Sequence, residues 1–181
     1  MVLTAHLYAS RIAKRYLAGI GYPMLTVRSR RPTGDLESRL CRGILHERYN
    51  QFLHEVIQDE VDLNAPDCAL RIMQRLRSGG MVNLHFDALA RSRPVAWPFF
   101  GVPTRFSSGT FDIVRFTGCA VVPMLCLGRS TDFRIAFSPM LNIVSAPDRD
   151  GFVAANLPSF VQALEKQIEA NPEEWTPWSR S

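Results

Sequence analysis

Pro94-Val-Ala-Trp-Pro-Phe-Phe-Gly-Val-Pro-Thr104 stands at the centre of the stretch, Leu76 to Pro123, whose reading decides the fold. The stretch reads as a strand ending in Asp87, an aromatic Pro/Gly loop, a small-residue helix start over Ser107 to Thr110, and a second strand over Cys119 to Leu127. Two adjacent Phe and a Trp on a loop line a cavity or cover a core edge, so this loop is the first place to look for a ligand. On the strand before it, Val82, Leu84 and Phe86 alternate with Asn83, His85 and Asp87. The polar set thus reaches the carboxyl end of a strand, where open α/β sheets place their ligand sites.

Outward from this centre, Val2 to Ala5 is an apolar run too short to classify alone, but Ile12, Tyr16, Leu17 and Ile20 follow at helical spacing. Gly19 and Gly21 end that helix, and Pro23 to Val27 reads as a strand. Strand, helix, strand is the opening of a parallel α/β sheet. Arg28 to Gly34 is a basic loop, and Asp35 to about Phe52 is a predicted helix. Asn64 as N-cap with Pro66 in the first turn predicts a helix through Leu70, Ile72, Met73 and Leu76 to a stop at Ser78-Gly79-Gly80. Helix is expected again over Gly109 to Phe116, strand over Phe133 to Phe137, and a last helix over Pro158 to Ala170 with Phe160, Val161, Leu164 and Ile168 inward. No repeat or linker divides the chain, so residues 1–181 are read as a single domain.

A chain of 181 residues that is 46% hydrophobic can bury a core of its own. Its longest apolar run, Cys119 to Leu127, is broken by Pro123 and falls far short of the roughly 20 residues that cross a bilayer. Met1-Val-Leu-Thr-Ala5 lacks the charged and apolar regions of a signal peptide, and the four cysteines show no CxxC spacing. A reducing, cytoplasmic location is expected. Residues 1–50 carry nine Lys/Arg against three acids, a net of +6, which leaves −2 for the remainder. Such a basic region attracts anionic headgroups or phosphorylated partners, unless it is simply a solvated face. No nucleic-acid partner is expected, because no recognised binding motif or interleaved aromatics accompany it. No Gly-x-Ser-x-Gly elbow, Walker loop, dinucleotide fingerprint or zinc spacing is present, and no metal is expected.

Taken in order, Arg75-Leu-Arg-Ser-Gly-Gly80, the strand to Asp87, Pro98-Phe-Phe-Gly-Val-Pro103, Phe116-Thr-Gly-Cys-Ala-Val-Val-Pro123 and Asn171-Pro-Glu-Glu-Trp175 resemble the bacterial lipid A biosynthesis acyltransferases, within the lysophospholipid/glycerolipid acyltransferase superfamily. The resemblance implies a three-layer α/β fold, a mostly parallel central sheet flanked by helices. It also implies an O-acyltransferase that moves a fatty acyl group from acyl-carrier protein or acyl-CoA to a hydroxyl of a membrane lipid or glycolipid. No cofactor beyond that acyl thioester is implied, and the place of action would be the inner face of the cytoplasmic membrane, in peripheral contact with anionic lipid. Members of the family carry a longer N-terminal portion with a membrane anchor, so the chain is read as an N-terminally truncated or degenerate member. A non-catalytic lipid- or acyl-binding relative is the alternative.

The family's motif is His-x4-Asp or His-x4-Glu after the first strand, and His6 matches it by position. The base takes the proton of the acceptor hydroxyl, and the acid orients and stabilises the imidazolium. Here the fifth residue after His6 is Arg11, whose guanidinium cannot accept the ring N–H. Another acid reaches His6 in space, or the chain is a weakened relative, or the alignment is misplaced. His54 to Asp59 satisfies the spacing but lies between two predicted helices, and ranks below His6. The resemblance further assigns Arg48 to a headgroup or carrier phosphate, Asp87 to the substrate side of the site, and Phe99, Phe100 and Gly101 to the border of an acyl pocket. Each has an ordinary alternative: an exposed helix charge for Arg48, a turn carboxylate for Asp87, plain packing for the two rings, a structural hydrogen bond for His6. His85 shares the face of Asp87 and is a possible dyad partner for it. Ser107-Ser-Gly109 is a helix start that offers backbone N–H groups to an anion, or only a cap.

Overall fold

The computed structural model describes residues 1–6, 10–28, 59–87, 93–129 and 132–175. Among these, strands β1 (Val2–Thr4), β2 (Met24–Arg28), β3 (Glu60–Asp62), β4 (Met81–His85), β7 (Val122–Arg129) and β8 (Asp132–Phe137) form one sheet. Its order is β3-β2-β4-β1-β7-β8. Every neighbouring pair is parallel except β7 with β8, which is antiparallel. The described helices are α1 (Ser10–Gly19), α2 (Cys68–Arg77), α3 (Gly109–Thr117) and α4 (Arg149–Ala170). Strand β5 (Pro94–Phe99) pairs with β6 (Val102–Ser107) in a separate antiparallel hairpin.

Alternation along β1 shows the three layers. Val2 packs with Ala13 and Leu17 of α1, whereas Leu3 packs with Phe160, Leu164 and Ile168 of α4. On that second side α2 covers Leu25, Val61 and Val82 through Cys68 and Ile72. Both faces are covered, as a parallel sheet requires, and the α/β architecture is the one the sequence implied. At the centre of the larger core Phe86 stacks on Phe106 at 5.2 Å and meets Phe111 and Phe160 edge-on at 5.7 and 5.4 Å.

Several expectations are corrected. Helix α1 turns Ala13, Lys14 and Leu17 inward, while Ile12, Tyr16 and Ile20 are 40%, 52% and 51% exposed. Two stripes on this helix satisfy the same spacing, and the small Ala13 side chain favours the close approach to the sheet. Helix α2 begins at Cys68 and not at Asn64. Asn64 donates from its backbone N–H and its side-chain amide to Asp62 Oδ1 at 2.9 and 3.1 Å, a local turn that competes with helix.

The aromatic Pro/Gly loop is a β-hairpin with Trp97 opposite Thr104 and Phe99 opposite Val102. Its two-residue turn has both central residues at positive φ, Phe100 at 49° and Gly101 at 77°, the twist that closes tight hairpins. Pro94, Pro98 and Pro103 are tolerated because a two-stranded ribbon consists only of edges. Strand β7 starts at Val122, later than expected, because the left-handed Gly118 (φ 61°) first ends α3, its N–H bonding to Val114 O. Helix α4 starts at Arg149, where Asp148 accepts from the Gly151 N–H at 2.7 Å, and Pro158 lies inside it. The carbonyl freed by Pro158 belongs to Ala154, which is exposed to solvent. Phe160, Val161, Leu164 and Ile168 are buried as expected. Strand β3 was not anticipated, and the expected helix over 35–52 lies outside the described residues.

Candidate active site at the carboxyl ends of β1 and β4

Strands β1 and β4 are parallel neighbours with Thr4 opposite His85. The pairing continues one step further, Phe86 N–H donating to Thr4 O at 3.1 Å. Parallel strands in register deliver the residues after them to the same edge, so His6 and Asp87 emerge side by side although 81 positions separate them.

Asp87 engages His6 twice. The His6 backbone N–H donates to Asp87 Oδ2 at 2.8 Å, and ring Nδ1 lies 2.7 Å from Oδ1. A third donor, the Trp175 indole Nε1–H, reaches Oδ2 at 2.7 Å. The carboxylate side chain is 1% exposed, and a buried carboxylate needs such donors to offset its desolvation. Because a carboxylate can only accept, Nδ1 carries the proton and Nε2 of the neutral ring carries the lone pair. The His6 side chain retains 30% exposure, so part of it remains open to solvent. His85 stacks on the His6 ring with centroids 4.3 Å apart and planes at 21°. One contact fixes the ring's edge, and the other fixes its plane.

The hairpin buttresses this pair. Phe99 is buried and meets Trp175 edge-on at 5.8 Å, which holds the indole toward Asp87. Phe100 is 39% exposed, packs on Phe99 at 4.8 Å, and its N–H donates to Glu165 Oε1 of α4 at 2.7 Å. His6, Asp87 and Phe99 are therefore linked through Trp175, with Phe100 and Gly101 at the turn above.

The remaining sequence candidates fall elsewhere. Arg48 and His54 lie outside the described residues, and Asp59 pairs with Arg71 at 3.6 Å. Of the two histidines near Asp87, His6 makes the contact with its carboxylate, and His85, which the strand pattern also offered as a partner, stacks on the His6 ring. Ser108 accepts from Arg149 and donates to Arg93 O, both at 2.7 Å, so its hydroxyl ties the start of α3 to α4. The role of Trp175 had no sequence signal beyond its place in the Asn171 to Trp175 segment. Among the described residues no cluster of three His, Cys, Asp or Glu side chains could hold a metal ion, and no helix is long and apolar enough to cross a membrane.

A buried carboxylate hydrogen-bonded to an imidazole therefore stands at the carboxyl edge of a parallel sheet. The family model of the bacterial lipid A biosynthesis acyltransferases matches residues 47–179, and the chain belongs to that family. The matched segment contains Asp87, the hairpin and Trp175, and it begins after His6. No curated protein gives a significant match.

Proposed function

We propose that the protein is an O-acyltransferase that moves a fatty acyl group from an acyl thioester, on acyl-carrier protein or coenzyme A, to a hydroxyl of a membrane lipid or glycolipid. The observation that carries this reading is the 2.7 Å contact of His6 Nδ1 with the buried Asp87 carboxylate. In this reading Nε2 of His6 takes the proton of the acceptor hydroxyl as its oxygen attacks the thioester carbonyl carbon. The tetrahedral intermediate then expels the thiolate, which recovers the proton from the imidazolium, leaving an ester and a free thiol. Asp87 stabilises the imidazolium between these steps. It fills the role that the family's motif gives to the position held here by Arg11. Phe99, Phe100 and Gly101 border the acyl chain, for which each buried methylene contributes about 0.8 kcal/mol. Arg48 binds a headgroup or carrier phosphate through paired guanidinium hydrogen bonds. The acyl thioester is the only co-substrate, and the protein works peripherally at the inner face of the cytoplasmic membrane.

The test is mass spectrometry of lipid extracts incubated with the protein and acyl-CoA or acyl-carrier protein. A new acyl ester should form and should vanish in His6→Ala; an undiminished ester in that variant refutes the assignment. The second reading, a non-catalytic acyl-binding relative, is favoured by Arg11 and predicts saturable acyl binding, no ester, and indifference to His6→Ala.

A further inference from the structure

Helix α1 presents an apolar stripe to solvent. Ile12, Tyr16 and Ile20 recur every four residues and are 40%, 52% and 51% exposed, and Tyr22 continues the line at 57%. The opposite side of the helix is spent on the sheet through Ala13 and Leu17. Tyr16 is held upright by an edge contact with Phe133 at 5.8 Å, so the stripe is a built surface. Exposed Arg15 flanks it, Lys14 is buried on the opposite side, and the helix sequence contains no acid.

We propose that this outer face of α1 docks on anionic lipid bilayers, with Ile12, Tyr16 and Ile20 seated at the headgroup boundary and Arg15 beside them. The charge selects the occupant. A second copy of the chain would bring Arg15 toward its own like charge across a two-fold contact, whereas an anionic surface complements it. Aliphatic side chains with an amphipathic tyrosine suit the interfacial depth, and a helix lying in the plane needs no spanning length. Among the other exposed apolar side chains, Met140 and Val144 lie in a segment without basic side chains, the hairpin turn bonds to Glu165, and Leu70 and Phe116, though near arginines, are single exposed side chains on their helices.

The surface gives the acyltransferase reading its geometry, because α1 starts four residues after His6 and a docked helix holds the imidazole near the source of lipid hydroxyls. The inference rests on that reading only for its purpose, and its test is separate. Co-sedimentation with phosphatidylglycerol/phosphatidylcholine vesicles is measured for the full chain, for a triple variant Ile12→Asp, Tyr16→Asp, Ile20→Asp, and for Met140→Asp as a control. Circular dichroism checks that each variant is folded. The expected result is binding that weakens with salt, falls by about tenfold or more in the triple variant, and is unchanged in Met140→Asp. Equal binding by the triple variant, no binding by the parent chain, or loss of a dimer on gel filtration without loss of vesicle binding would each overturn it. His6→Ala, which tests the acyltransferase reading, should bind vesicles normally, and the triple variant should keep its turnover on detergent-dispersed acceptor.

Discussion

Asp87 receives one ring and two further N–H donors on a side chain that is 1% exposed, and this concentration of roles makes it the most consequential carboxylate among the described residues. Asp87→Asn would retain the shape but place an amide where, on the proposed acyltransferase reading, a charge stabilises the imidazolium. By analogy with the corresponding change in serine proteases, acyl-transfer turnover should fall by about 10²- to 10⁴-fold, measured as initial rate of ester formation. On the same reading Asp87 supplies the acid and Arg11 has no part in that role, so Arg11→Ala should change turnover by less than about threefold, against the orders of magnitude at stake in the dyad. A collapse of turnover in Arg11→Ala would show that the motif position matters in its own right. Trp175→Phe keeps the contact with Phe99 but removes the donor to Asp87 Oδ2. It should cost about 1–3 kcal/mol in urea unfolding, the penalty for stripping a donor from a buried acceptor.

At the scale of elements, the hairpin turn and α4 carry separate loads. Gly101 has φ 77° and nothing within 4 Å of an added Cβ, so Gly101→Ala tests backbone strain alone. It should destabilise the fold by about 1–2 kcal/mol in chemical denaturation. Leu164 on α4 is fully buried in the larger core, and Leu164→Ala should cost about 2–5 kcal/mol through lost contacts and a residual cavity. Local chemistry makes some of these elements legible beforehand. The inward positions of α4 follow from the 3.6-residue period, whereas its start is hidden by Pro158, an ordinary first-turn residue that here occupies a helix interior. The aromatic stretch reads as a loop because three prolines disguise a ribbon whose two strands pair only with each other.

Across the whole molecule, covering both faces of the sheet isolates its polar groups from water. Cys126, fully buried under α1, has its thiol pushed up to about 12 by burial, against a usual value near 9. The folded state therefore holds this proton more tightly than the unfolded chain does. Its contribution to stability is intact below about pH 9 and is lost as pH rises toward about 12. Alkylation followed by peptide mapping at pH 8 should leave Cys126 unmodified in the folded protein and label it in urea, while the partly exposed Cys119 reacts in both. Labelling of Cys126 at the same rate in the fold would show that α1 does not seal this side of the sheet.

The sequence by itself determined what depends on local period and local turns: the α/β rhythm, the inward face of α4, the polar run to Asp87, and His6 at the end of an opening strand. It left three ways of reconciling His6 with Arg11, because side-chain spacing along one segment says nothing about a partner on another. Only the tertiary structure decided that β4 lies beside β1 with Thr4 opposite His85, and that register brings Asp87 to the His6 ring. It likewise chose which of two equally periodic stripes on α1 faces the sheet. Both outcomes are set by packing between distant segments, where strand order and the closeness of layers select among patterns that the chain alone leaves equivalent.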